Sequence, residues 1–240
     1  MFLKKIKSYL RNNSITSPTY IKMMNIKEKI KAFLLRLVFP KGKIVICNGV
    51  KIYCNFKTVT YKWYYFGHNS DLLINQKIIR SLFDNLFIRG NVFIDIGAHF
   101  GFYSAFLRQF LNERKRDGKI IALEPDKNHF SCLLMTMREN HHVNDIILNM
   151  AISDNDRNVS MYKNEDACLH SYKQFGGKEV YKIKSISLDG LSKLYFKGED
   201  KIALIKIDVD GAEPVLYSGG IETLKKHNPI ILTEFFPKGL

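Results

Sequence analysis

The residues best placed to do chemistry are carboxylates that end apolar runs. In "NVFIDIGAHFGFYS" (residues 91–104) an apolar run reaches Asp95, and Gly97 and Gly101 then bracket a short loop before an aromatic, helix-like run. In "GKIIALEPD" a second apolar run ends in Glu124. In "IKIDVDGAEPVL" a third run carries Lys206 and then delivers Asp208, Asp210 and Glu213. In open α/β sheets, ligands bind beyond the carboxyl ends of the strands, where the loops diverge. A glycine loop there lets a ligand approach the backbone, and the helix N-terminus that follows attracts a carboxylate or phosphate.

An acid at the end of the second strand can accept both hydroxyls of a ribose. Gly97 and Gly101 are four positions apart, so the G-x-G-x-x-G pattern that cradles a dinucleotide pyrophosphate is not met. Asp95 and Glu124 together therefore suit a nucleoside-bearing ligand that lacks a pyrophosphate or carries positive charge. S-adenosylmethionine has that chemistry: a sulfonium, a ribose and a free amino-acid end. Grouped carboxylates such as Asp208, Asp210 and Glu213 repel one another unless they bind a proton, a cation or a helix N-terminus. One of them can be a general base, or several can hold a divalent metal. The plainer alternative is that Asp210 or Glu213 caps a helix.

These residues need elements to position them. From residue 91 the pattern alternates strand and helix: strand 91–96, helix 101–113, strand 119–124, helix 127–141, strand 145–151, strand 201–208, helix 212–226 and strand 229–235. The strands are apolar almost throughout, as expected when helices cover both faces of a parallel sheet. Between 155 and 200 the rhythm breaks, and the polar segment ends in a strand and a short helical turn. Upstream, Asn48-Gly49 between two alternating runs predicts a hairpin with a type I′ turn. Its register sets Cys47 opposite Val50 and Cys54 opposite Lys43, which argues against a disulfide across it. The aromatic cluster "YKWYYFGH" is read as core or lid packing. "SDLLINQKIIRSLFDNLFIRG" reads as a helix capped by Ser70 or Asp71 and stopped at Gly90.

The chain has 240 residues and a net charge of +14, of which +10 falls within residues 1–43. The basicity thus belongs to an N-terminal arm and not to the catalytic candidate, which argues against nucleic acid as the partner. In "NIKEKIKAFLLRLVF", Ile26, Ile30, Phe33, Leu34 and Leu37 share one helical face. That face is expected to pack on its own domain, with contact to an anionic membrane surface as the alternative. Four cysteines form no CxxC pair, which suits free thiols in a cytoplasmic protein, peripheral at most to the inner face of the membrane. Three regions follow: a basic arm (1–43), a hairpin and helix lead-in (44–90) and a Rossmann-like domain (91–240).

Six segments in order, "FIDIGAHFGFYS", "IIALEPDKNHFSCLLMTMREN", "ILNMAISD", "SISLDGL", "LIKIDVDGAE" and "ILTEF", resemble the successive motifs of the FkbM family of methyltransferases. The resemblance implies a class I, Rossmann-like three-layer fold that uses S-adenosylmethionine to methylate a hydroxyl of a sugar, glycan or related metabolite. It puts Asp95, Gly97, Ala98, His99 and Gly101 in the cofactor loop, Glu124 on the ribose, and Ala151, Ser153 and Asp154 near the adenine. Lys206, Asp208, Asp210 and Glu213 then fall at the sulfonium and acceptor end. Asp208 is the expected base or metal ligand, with Lys206 and Glu234 tuning it. His99 stands where the family has Asn, Asp210 where it has Glu, and Gly190 where it has a second acid. The remaining histidines are expected at the surface or in packing, except His170, which can close over the acceptor.

The fold that the resemblance implies continues past its fifth strand into two more, whereas the chain stops at Leu240. The last strand is therefore expected to be covered by the N-terminal hairpin or a partner chain, or else the chain to be truncated. Three other activities stay open at this point. They are an RNA methyltransferase, a nicotinamide-dependent dehydrogenase and a non-catalytic Rossmann-like binding module.

Overall fold

The computed structural model describes residues 30–57, 59–65, 70–141, 144–163, 169–170, 178–209 and 212–233. A helix at 30–38 (α1) leads into strands β1 (Lys43–Cys47) and β2 (Val50–Cys54). Asn48 and Gly49 join them with φ of 48° and 84°, as a type I′ turn requires, and Cys47 and Lys43 face Val50 and Cys54. Cys47, Cys54 and Cys132 are buried free thiols, and Cys168 lies outside the described residues. Burial pushes the Cys47 thiol up to about 11, so it stays protonated near neutral pH.

A 3-10 turn (Val59–Tyr61) and a short helix, α2 (Lys62–Tyr65), precede α3 (Ser70–Arg89). Helix α3 begins at Ser70 itself, so the position before its first turn lies outside the described residues. Next come β3 (Val92–Ile96), α4 (Phe102–Glu113), β4 (Lys119–Leu123), α5 (Lys127–Glu139) and β5 (Ile146–Leu148). They are followed by β6 (Ala151–Ser153), β7 (Asn158–Lys163), β8 (Leu169–His170), β9 (Lys178–Ser187) and α6 (Leu188–Tyr195). The last described elements are β10 (Ile202–Ile207), α7 (Glu213–Ser218), α8 (Ile221–His227) and β11 (Ile230–Thr233).

Five strands form one parallel sheet in the order β11-β10-β3-β4-β5. Its residues alternate between two cores. Phe93, Ile120, Ala122 and Leu204 pack with the hairpin, α3, α4 and α5. Val92, Ile94, Ile96, Ile121, Ile205 and Ile207 pack with Leu188, Leu191 and Leu216 on the other face. Burial on both faces explains why the strands read as unbroken apolar runs. The three-layer α/β architecture is the Rossmann-like one expected from the sequence. Residues 44–90 share the first of these cores with β3, α4 and α5, so the lead-in and the domain are packed as one body there.

The structure corrects several expectations. The expected strand 145–151 is two strands, because β6 leaves the main sheet to pair with β9. The polar 155–200 segment supplies three strands of a second sheet, β6-β9-β7-β8, which packs around Ala151, Met161 and Ile183. The expected helix 212–226 is broken at Gly219-Gly220. A side chain at Gly219 would lie 2.5 Å from the Ser153 carbonyl, so only glycine fits where the break meets the end of β6. Helix α1 does not bury the predicted face: Ile30, Phe33, Leu34 and Leu37 are all more than half exposed, while Ala32 is buried. The hairpin forms its own sheet and packs on α4 and α5 through Tyr53 N–H to Thr136 Oγ1 (3.0 Å), so it is not paired with β11. Among the described residues no helix is long and apolar enough to cross a membrane.

Candidate active site

After β3 the chain adds strands in one direction, β4 then β5, and later returns to place β10 and β11 on the other side. The sheet therefore has its topological switch between β3 and β10, the place where open α/β sheets open a crevice. Register puts Lys206 of β10 beside Asp95 of β3, one residue before each strand ends. Asp208, Gly97 and Glu124 follow at the carboxyl ends of β10, β3 and β4. Three of the sequence-predicted acids thus line one end of the sheet.

Asp95 is fully buried. One of its oxygens accepts the Ser104 N–H (3.1 Å) and hydroxyl (2.7 Å) in the first turn of α4. A carboxylate there satisfies orphan N–H groups and complements the helix dipole. The other oxygen has no hydrogen bond among the described residues and faces the Lys206 ammonium at 3.4 Å. That ammonium also donates to the Gly97 carbonyl (2.7 Å), lies 3.3 Å from Asp208 Oδ2 and sits over the Tyr103 ring at 5.2 Å. Burial alone would pull the lysine down. Asp95 and Asp208, with Tyr103, outweigh it and hold Lys206 above its ordinary range. Asp208 differs from its neighbours, because its side chain is 37% exposed.

Glu124 is buried and held rigidly. Its two oxygens accept the His99 N–H and the Asp126 N–H, each at 2.8 Å. Each oxygen keeps a second lone-pair direction for a further donor. Asp126 in turn caps α5 by accepting from the Asn128 and His129 N–H groups (2.7 and 2.8 Å). Two loops are thereby pinned to one carboxylate.

The glycines answer to the chain's own crowding. A side chain at Gly97 would sit 1.9 Å from the Asp208 carbonyl, and one at Gly101 would meet Leu133 at 2.7 Å. Both residues also have positive φ, 73° and 87°. What approaches the backbone here is the β10 end and helix α5. Ala98 is buried, and its N–H bonds the Leu123 carbonyl (2.9 Å). Gly190, read as a missing acid, would drive a side chain to 2.7 Å from Asp156, which accepts the Ser187 N–H and hydroxyl. Asp189 accepts the Thr223 N–H at 2.7 Å, tying α6 to α8.

His99 occupies the left-handed region (φ 53°), a conformation that Asn tolerates better. Its Nδ1 lies 2.8 Å from the Tyr64 hydroxyl, and its buried Nε2 has no hydrogen-bond partner among the described residues. The ring stacks on Phe100, and the His129 ring lies 4.1 Å away, centroid to centroid. Burial, then the neighbouring His129 and Lys206, hold its pKa well below the ordinary histidine value. His129 sits 3.8 Å from Glu124 and bonds Thr60 (3.2 Å), so it takes the packed one of its two expected places, beside the Glu124 carboxylate. Trp63, half-exposed, packs on His99. Sequence reasoning had set aside His129, Trp63 and Tyr64. Only the position of His129 in the first turn after the Glu124 strand end could have flagged it.

The other predicted residues lie elsewhere or beyond view. Ala151 and Ser153 are buried in the second sheet. Asp154 accepts from Ser153 Oγ (3.0 Å) and from Arg157 (2.9 Å) across a turn. Glu213 opens α7. Asp210, Glu234 and the His170 side chain lie outside the described residues. Among the described residues no group of three His, Cys, Asp or Glu side chains could hold a metal ion.

Comparison with curated proteins and with solved structures gives no match. Comparison with protein families matches residues 95–238 to the Methyltransferase FkbM domain. The match begins at Asp95 and spans Glu124, Lys206 and Asp208, the residues that converge on the switch point. It covers more than half of the chain, which therefore belongs to the FkbM family of methyltransferases.

Proposed function

We propose that this methyltransferase uses S-adenosylmethionine and methylates a hydroxyl of a sugar, glycan or related metabolite. The observation that carries the proposal is the charge at the switch point. Asp95 and Asp208 face one buried ammonium, Lys206, and Glu124 adds a third carboxylate at the end of the neighbouring strand β4. The surplus is negative, and it suits a ligand carrying a sulfonium and an ammonium better than one carrying phosphates. The buried His99 Nε2 adds a polar atom without a partner, of the kind a bound molecule would satisfy.

When bound, the donor supplies an electrophilic methyl group whose transfer neutralises its sulfonium. Glu124, fixed by two backbone N–H groups, is the residue that would hold the ribose hydroxyls. Asp208 would take the proton of the acceptor hydroxyl, since it is the most exposed of these acids. Lys206 orients Asp208 and neutralises Asp95, which keeps a cation between the two carboxylates. The rest of the catalytic task is alignment, which the hydrogen-bonded strand ends favour.

The test is methyl transfer from isotopically labelled S-adenosylmethionine to a panel of sugars and oligosaccharides. Label recovered as a methyl ether, with S-adenosylhomocysteine released, is the expected result. Label recovered only on RNA would overturn the proposed acceptor.

A further inference from the structure

We propose that the outward face of α1 and β1 docks the protein on an anionic phospholipid surface. The cleft between Arg36 and Lys57 would receive a lipid phosphate. Five large apolar side chains of α1 (Ile30, Phe33, Leu34, Leu37 and Val38) are each more than half exposed. The opposite side of the helix is already used, with Ala32, Leu35 and Phe39 packed into the core. Among the described residues the outward stripe is left uncovered. Beyond the turn, which the Tyr53 hydroxyl fixes by donating to the Lys41 carbonyl (2.5 Å), Ile44 and Ile46 of β1 are exposed as well. Soluble surfaces seldom leave such a run uncovered.

Charge selects the occupant. Lys31 and Arg36 fall on either side of the apolar stripe at 3.6 residues per turn, and residues 1–43 together carry +10. An apolar stripe edged by cations is the composition of a helix that lies in a membrane interface. At the foot of α1 a cleft of about 240 Å³ is lined by Arg36, Lys57, Tyr53, Asn55 and Ser131, with two cations and no acid. That lining suits a phosphate. A second copy of the chain would set one strongly basic arm against another. A nucleic acid would take the cations but leave the apolar stripe in water. Only an anionic lipid surface takes up both.

The experiment is co-sedimentation of the full chain with phosphatidylcholine vesicles, with and without phosphatidylglycerol. Binding is expected only with the anionic lipid, and it should weaken as salt rises. Phe33→Ser/Leu37→Ser should weaken it by about tenfold or more. Arg36→Ala/Lys57→Ala should weaken it on the order of twentyfold. All four positions are exposed, so unchanged unfolding midpoints will show that the variants still fold. No binding to the anionic vesicles overturns the proposal, as does equal binding by the variants. So does a dimer in light scattering that Phe33→Ser/Leu37→Ser splits. Vesicle binding requires no turnover, so its failure leaves the proposed methyl donor untouched, and failure to bind the donor leaves the docking face untouched.

Discussion

Asp95 and Asp208 are carboxylates 3.4 and 3.3 Å from the same ammonium, yet their surroundings are opposite. Asp95 has no exposure and spends one oxygen on the first turn of α4. Asp208 keeps more than a third of its side chain in solvent. A buried charge with one partner removed costs several kcal/mol, whereas an exposed one relaxes into water. The contrast assigns Asp95 to holding the switch point together and leaves Asp208 as the acid an incoming molecule can reach.

The largest effect should come from the shared cation. Lys206→Met strands Asp95 without its counter-ion, and a loss of about 3–5 kcal/mol is expected in chemical denaturation. Asp208→Asn should separate the two roles. Stability should change by less than about 1 kcal/mol, while methyl transfer falls by roughly 10²–10⁴ if Asp208 is the base. An equal loss of stability in Asp208→Asn and Lys206→Met would erase the contrast.

A smaller effect tests the crowding that joins the two strand ends. Gly97→Ala meets the Asp208 carbonyl and an unfavourable φ, whereas Gly49→Ala in the hairpin turn meets only the unfavourable φ. Gly49→Ala should cost about 1–2 kcal/mol by denaturation, and Gly97→Ala clearly more.

The smallest effect concerns pH. Burial keeps the folded His99 below its ordinary pKa of 6.5, so the unfolded chain binds that proton first as pH falls. Stability carried by neutral His99 is therefore present above pH 6.5 and lost below it, at up to about 1.4 kcal/mol per pH unit. His99→Asn should flatten that acid limb and suit the left-handed backbone, as denaturation midpoints across pH 5–7 will show.

Local signals were legible in the sequence. Asn48-Gly49 can be read because a type I′ turn is decided by its own two residues. The strands around Asp95, Glu124 and Asp208 can be read because both faces of the sheet are covered. Of the second sheet only the strand before the α6 turn could be read, and its pairing with β7 across a long polar stretch is announced by no local pattern. Convergence was hidden for the same reason. Tyr64, His99 and His129 are far apart in the chain and meet only when the α2 segment folds over the β3 loop. The glycine loop was read as room for a ligand, and the close approach of Asp208 to Gly97 follows from a pairing that no local pattern announces.

The most direct measurement is calorimetric binding of S-adenosylmethionine and S-adenosylhomocysteine to the wild-type chain and to Glu124→Ala. The switch-point site predicts that both ligands bind the wild type and that Glu124→Ala, still folded by circular dichroism, binds neither. Wild-type binding of a nicotinamide dinucleotide in their place, or undiminished binding by Glu124→Ala, would contradict it.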